Sequence, residues 1–164
     1  MKLYRSVIAL TVALVMLGVT RMIADDTPPM RMIPTCTPGK SEGTQLRSWR
    51  VRYIVPKNAT VRQIKDIDYS EYRVLVNTKG KPEFLTLFLG NGSPYSLCSA
   101  VRHRFLKLPD GTGGIDARCI TADTKESRST GFENEYAYYD SVSADSAKYF
   151  DRIIDSMCYE APKK

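Results

Sequence analysis

Ser143-Ala144-Asp145-Ser146-Ala147-Lys148-Tyr149-Phe150-Asp151-Arg152-Ile153-Ile154-Asp155-Ser156-Met157-Cys158 is the stretch where the hydrophobic period of this chain changes. Ala147, Phe150, Ile153, Ile154, Met157 and Cys158 recur at helical spacing, and Ser143 with Asp145 supplies an N-cap and a carboxylate for the first turn. Upstream the period is two. In Trp49-Arg50-Val51-Arg52-Tyr53-Ile54-Val55 the residues Trp49, Val51, Tyr53 and Val55 share one face, and Tyr72-Arg73-Val74-Leu75-Val76 alternates in the same way. Phe84 to Leu89 is almost continuously apolar and reads as a central strand covered on both faces, punctuated by Gly90-Asn91-Gly92.

Val101 to Leu106 and Ile115 to Thr121 flank Leu108-Pro109-Asp110-Gly111-Thr112-Gly113-Gly114, which has the residues of a hairpin turn. A further strand covers Phe132 to Tyr139, with Asp123 to Thr130 as the turn before it. The expected fold is therefore α+β, with an antiparallel sheet of about six strands and the C-terminal amphipathic helix packed on one face. No internal repeat interrupts the stretch 49–164, which has the length of a single domain.

Several of these segments also carry a resemblance. Val55-Pro56, Asp66-Ile67-Asp68-Tyr69 before Tyr72-Arg73-Val74, Leu87-Phe88-Leu89-Gly90 and Gly114-Ile115-Asp116-Ala117-Arg118 resemble small exported bacterial domains without assigned function. Tyr139-Asp140-Ser141-Val142-Ser143 leading into Tyr149 to Ser156 extends the match. The layout of those domains is similar to PsbP-like α+β sandwiches. The resemblance implies a fold only, since its motifs mark packing and turns and bring no catalytic residue with them.

The N-terminus supplies an address. Lys2 and Arg5 precede an apolar run from Val7 to Val19, and after Arg21 the chain turns polar and proline-rich, the order of an export signal. The run is about 15 residues between charges, short of the roughly 20 that a membrane-spanning helix needs. Residues 1–24 are thus expected to be a signal peptide, with an uncleaved anchor as the alternative because Met22 fits the cleavage pattern poorly. Removing Lys2, Arg5 and Arg21 from the 24 basic residues leaves 21 against 18 acidic ones, so a net charge of +6 falls to +3. That balance removes the compositional reason to expect nucleic acid as a partner.

Residues 25–48, with four prolines and two glycines, read as a linker into the domain. Four cysteines in an exported chain imply two disulfides. Pairing Cys36 with Cys158 would pin the linker to the last helix and close a long loop, leaving Cys98 for Cys119. Cys98 must then lie off the regular strand, because an in-register hairpin would carry it past Cys119. No pair has C-x-x-C spacing and a lone histidine cannot complete a Cys/His cluster, so no metal and no cofactor is expected.

Catalytic constellations are sparse. His103 would have to serve any Ser-His-Asp or Cys-His mechanism, with Asp66 or Asp68 as its orienting carboxylate, which makes a hydrolase the weakest of three readings. Asp66, Asp68 and Glu71 lack the glycine and the offsets of a calcium loop. Arg50, Arg52, Arg102 and Arg104 would form an anion-gripping stripe if their two strands were neighbours; otherwise Asp116, Glu133 and Glu135 are their natural partners. The leading expectation is an exported noncatalytic domain, periplasmic or extracellular, with a membrane-anchored form as the alternative, that binds a protein or a cell-envelope component.

Overall fold

The computed structural model describes residues 30–39, 43–78, 80–90, 102–120 and 123–161; the segment 1–24, expected to be a signal peptide, lies outside them. In chain order the strands are β1 (Arg31–Met32), β2 (Thr44–Arg47), β3 (Val51–Val55), β4 (Thr60–Lys65), β5 (Tyr69–Thr78), β6 (Lys81–Gly90), β7 (Arg102–Lys107), β8 (Gly113–Ile120), β9 (Glu126–Phe132) and β10 (Glu135–Val142). Helix α1 (Ala144–Asp155) and the short β11 (Cys158–Tyr159) complete the fold.

The α+β character holds, but the sheet is larger and more mixed than expected. Eight strands pair in the order β1-β7-β8-β9-β10-β6-β5-β4, and β11-β3-β2 form a separate small sheet. Every pairing in the large sheet is antiparallel except β1 with β7, which is parallel. The difference from six antiparallel strands has identifiable causes. Asp123 to Thr130 was expected to turn, yet Glu126–Phe132 is a strand whose inward positions carry Arg128 and Thr130 instead of hydrophobes. The expected linker 25–48 contains β1 and β2, each recruited by a partner distant in sequence.

Registers divide the large sheet into two faces, because directly paired residues point the same way. The inner face carries Val74 on β5, Leu85 and Leu87 on β6, Ala137 and Tyr139 on β10, Phe132 on β9 and Leu106 on β7, all buried. Helix α1 packs Ala147, Phe150, Ile153 and Ile154 into this interior, and β3 contributes Val51, Tyr53 and Val55. One core therefore lies between the large sheet and a layer made of α1 and the small sheet.

The helix begins where its sequence signals place it. Ser143 is the N-cap, its Oγ accepting from the Ser146 N–H at 3.4 Å. Glu83 on β6 then fixes the cap itself, accepting from the Ser143 N–H at 2.9 Å and its hydroxyl at 2.8 Å. Burial pushes the Glu83 carboxyl up, but the Ser146 and Ser143 hydrogen bonds outweigh it and hold the group below its usual range. The helix is not the last element. It stops at Asp155, and Cys158–Tyr159 pairs with β3 while the Cys36–Cys158 disulfide joins it to the N-terminal segment. No helix among the described residues is long and apolar enough to cross a membrane.

Candidate functional site

The residues singled out for chemistry do not converge. Arg50 and Arg52 belong to the small sheet and the turn before it, whereas Arg102 and Arg104 lie on β7 of the large sheet. Their strands are not neighbours, so the anticipated four-arginine stripe does not form. Arg52 is buried at 8% exposure and donates to Gln45 Oε1 at 3.2 Å, while Arg102 and Arg104 are exposed.

His103 is exposed on β7 opposite Ala117, and Asp66 and Asp68 are exposed in the bend between β4 and β5. The two regions stand at opposite sides of the eight-stranded order, which removes the geometry a His-Asp pair needs. Glu71 is buried on β5 and forms an ion pair with Arg73. Among the described residues no group of three metal-ligating side chains occurs.

The sequence-based pairing of Cys36 with Cys158 is present, with the two Cα atoms 5.0 Å apart. Cys119 is also disulfide-bonded. Cys98, its expected partner, lies outside the described residues.

Two polar sites under the large sheet had no motif to announce them. Arg128 is 1% exposed, and its Nε and one Nη hold both oxygens of Asp116 at 2.7 and 3.0 Å. The same guanidinium reaches Asp151 and Asp155 of α1, each at 2.8 Å. Arg118 adds a 2.7 Å pair to Asp151 and Arg31 a 3.0 Å pair to Asp155, so three arginines and three aspartates stitch the helix to β8, β9 and β1. Burial opposes the charge on Arg128, but the Asp116, Asp155 and Asp151 carboxylates outweigh it and raise its pKa. Burial likewise pushes Asp155 up, and Arg128 with Arg31 more than compensates, so its carboxyl sits below the usual range. The cluster consumes its own donors and acceptors, which is the chemistry of a fastening.

The second site is at the tip of the β2–β3 hairpin. Ser48 N–H donates to the Val51 carbonyl at 2.9 Å, leaving Trp49 and Arg50 as a two-residue turn. Glu135, at the start of β10 and 4% exposed, holds this turn from below: it accepts the Ser48 hydroxyl and, at 2.8 Å, the Arg50 N–H. Burial pushes the Glu135 carboxyl above its usual range, only partly offset by those hydrogen bonds. Beside it opens a small cleft, lined by Leu46, Tyr53, Tyr72, Leu87, Phe88 and Tyr136 among others.

Trp49 was expected within the strand, on the face shared by Val51, Tyr53 and Val55. It is instead 62% exposed, since the strand begins only at Val51 and the indole projects from the turn. Arg50 lies over that indole at 4.7 Å from the ring centroid. The guanidinium is itself positioned by Thr112 Oγ1 at 2.6 Å, Glu133 at 3.4 Å and Asp110 at 4.0 Å. Hydrogen bonds from Thr112, with Arg50 nearby, hold the Asp110 carboxyl below its usual range. The only tryptophan of the chain is thus displayed to solvent on a support built from three separate turns.

No family model matches the chain, no curated protein is detectably similar to it, and no solved structure matches its fold.

Proposed function

We propose that the protein is an exported noncatalytic domain that binds another protein or a cell-envelope component, with Trp49 and Arg50 at the β2–β3 tip as its anchor. One observation carries the reading: a solvent-exposed tryptophan packed against an arginine that is itself braced by Thr112, Glu133 and Asp110. Tryptophan and arginine dominate binding energy at interfaces, and a pre-ordered pair loses little conformational freedom on docking. The Cys36–Cys158 disulfide favours an oxidising compartment, in keeping with the export signal read from residues 1–24. Among the described residues the dispersal of the arginines and the separation of His103 from Asp66 and Asp68 give less support to the anion-binding and hydrolase readings.

The test is site-specific photo-crosslinking in the native host. A photoreactive residue in place of Trp49 is expected to capture a discrete partner, and the same residue at Lys148, on the exposed side of α1, is not. Equal capture at both positions, or none at either, overturns the reading.

A further inference from the structure

The two margins of the large sheet differ. At one, β1 is two residues long; at the other, β4 runs from Thr60 to Lys65 against β5 and, among the described residues, has no strand on its free side. Every residue of β4 except Val61 is exposed. Sheet edges are commonly blunted by a proline or a bulge, and β4 has no proline and no shift of register. Its guard is charge, in Arg62 and Lys65, and the arrangement of charge decides what the edge can accept.

The hairpin shows which backbone groups are free. Asp66 N–H donates to the Tyr69 carbonyl at 2.9 Å, so these two residues form a hydrogen-bonded pair. Bonded and non-bonded pairs alternate along an antiparallel ladder. Thr60, Arg62 and Ile64 therefore bond to β5, whereas Val61, Gln63 and Lys65 turn their N–H and C=O groups outward. Charge is also unspent here. Lys57, Arg62, Lys65 and Asp68 have no ion-pair partner among the described residues, and Arg62 stands directly opposite Arg73, which is already paired with Glu71. The hairpin is cationic where the chain enters it, at Lys57, and anionic at its tip, Asp66 and Asp68. An antiparallel copy of the same edge is its electrostatic complement.

We infer that β4 pairs with β4 of a second copy of this chain, antiparallel about a twofold axis at Gln63, so that the large sheet continues across the dimer. Val61 then exchanges both backbone bonds with Lys65 of the second copy, and Gln63 does so with Gln63 of the second copy. Arg62 faces Ile64 of the second copy, and its aliphatic stem covers a side chain that is 36% exposed in the single chain. The turn at Lys57 and Asn58 comes beside the tip at Ile67 and Asp68, which brings the ammonium to the carboxylate. Neighbouring registers fail on charge. Centring the axis on Lys65 sets two ammonium groups face to face, and centring it on Val61 puts Lys57 beside Lys65. The contact is isologous, so it closes at two copies. It is separate from Trp49 and Arg50, which belong to the tip of the small sheet.

A strand edge of this length buries less than a standard interface, so the dimer should be transient and concentration-dependent. Sedimentation velocity on the full exported chain is expected to show monomer in dilute solution and dimer as the concentration approaches about 1 mM. Amide exchange followed by NMR reads the register: over the same range the N–H groups of Val61, Gln63 and Lys65 should slow several-fold, and those of Arg62 and Ile64, already held by β5, should not change. Gln63→Pro removes an outward donor and leaves the β5 ladder intact, so the variant should fold and stay monomeric. Ile64→Lys gains Glu71 as a neighbour in its own chain but faces Arg62 of the second copy; it should weaken the dimer at least several-fold and decides the matter should Gln63→Pro fail to fold. Trp49→Ala should dimerise as the parent does. A parent that stays monomeric at about 1 mM, protection that does not alternate along β4, a dimer undiminished in Ile64→Lys, or a dimer lost in Trp49→Ala overturns the inference.

Discussion

Arg128 on β9 and Glu135 on β10 project from adjacent strands into the same interior, and each is almost wholly withdrawn from water. Arg128 is surrounded by three carboxylates, while Glu135 meets a hydroxyl and a backbone N–H. Pairing stabilises the charged form of the first, and desolvation disfavours the charged form of the second. Burial is similar, but the neighbours decide which ionisation state the fold prefers. The paired site joins helix to sheet, whereas the unpaired one supports a turn that displays its side chains outward.

The contrast can be broken most forcefully at its paired end. Arg128→Met strands Asp116 without its counter-charge, and urea unfolding should show a loss of about 3–5 kcal/mol. Adding Asp116→Leu should recover much of it, because a neutral interior replaces an uncompensated charge. At the other site Glu135→Ala leaves the Arg50 N–H without its acceptor, while the Ser48 hydroxyl keeps the Val51 carbonyl at 2.9 Å, and the expected cost is about 1–3 kcal/mol. Limited proteolysis should then cut at the β2–β3 tip before any other described loop.

Glu135→Gln sharpens the comparison through pH. A carboxyl whose folded pKa is raised costs stability on ionising, a cost that grows as pH rises from the unfolded pKa through the folded one. The glutamine variant lacks that term, so its stability relative to the parent should improve as pH rises above the ordinary carboxylate range, as urea unfolding at several pH values would show. Asp155 has the opposite sign. Its folded pKa is lowered, so its contribution is complete above the unfolded value and is lost as pH falls through the folded one. With its side chain 47% exposed, solvent screens the pair, and Asp155→Asn should cost less than about 1 kcal/mol at neutral pH in thermal melts.

The parts of this fold that were legible in the sequence are those whose signals are local. Ser143 and the apolar spacing of α1 and the turn around Gly111 reappear as expected, and Val51 to Val55 is a strand, although Arg52 is buried along with Val51, Tyr53 and Val55. The misread parts depend on distant partners. Trp49-Arg50 is a hairpin tip without glycine, asparagine or aspartate, closed by Ser48 and by Glu135 some 85 residues away. β9 turns polar residues inward because Asp116, Asp151 and Asp155 await Arg128, an arrangement that leaves no periodic hydrophobic trace. β1 and β2 form only because β7 and β3 offer edges. The candidate site was legible in Arg50, whose pairing with Glu133 was the alternative to a stripe that does not assemble; Trp49 was placed on the strand because alternation alone cannot mark where a strand ends.

The Cys36–Cys158 bond, together with the flanking hydrogen bonds between Cys36 and Tyr159 and between Tyr159 and Pro34, both 2.8 Å, brings the first and last described segments side by side. Mechanically this is a short circuit. Tension applied along the chain upstream of residue 36 and downstream of residue 158 passes through one covalent link, and the chain between the two cysteines, a sequence separation of 122, lies outside the path of the force. Reducing conditions reroute the same pull through the hydrogen bonds of the sheets, so a single-molecule extension trace should lengthen by most of the domain only after the disulfide has been opened.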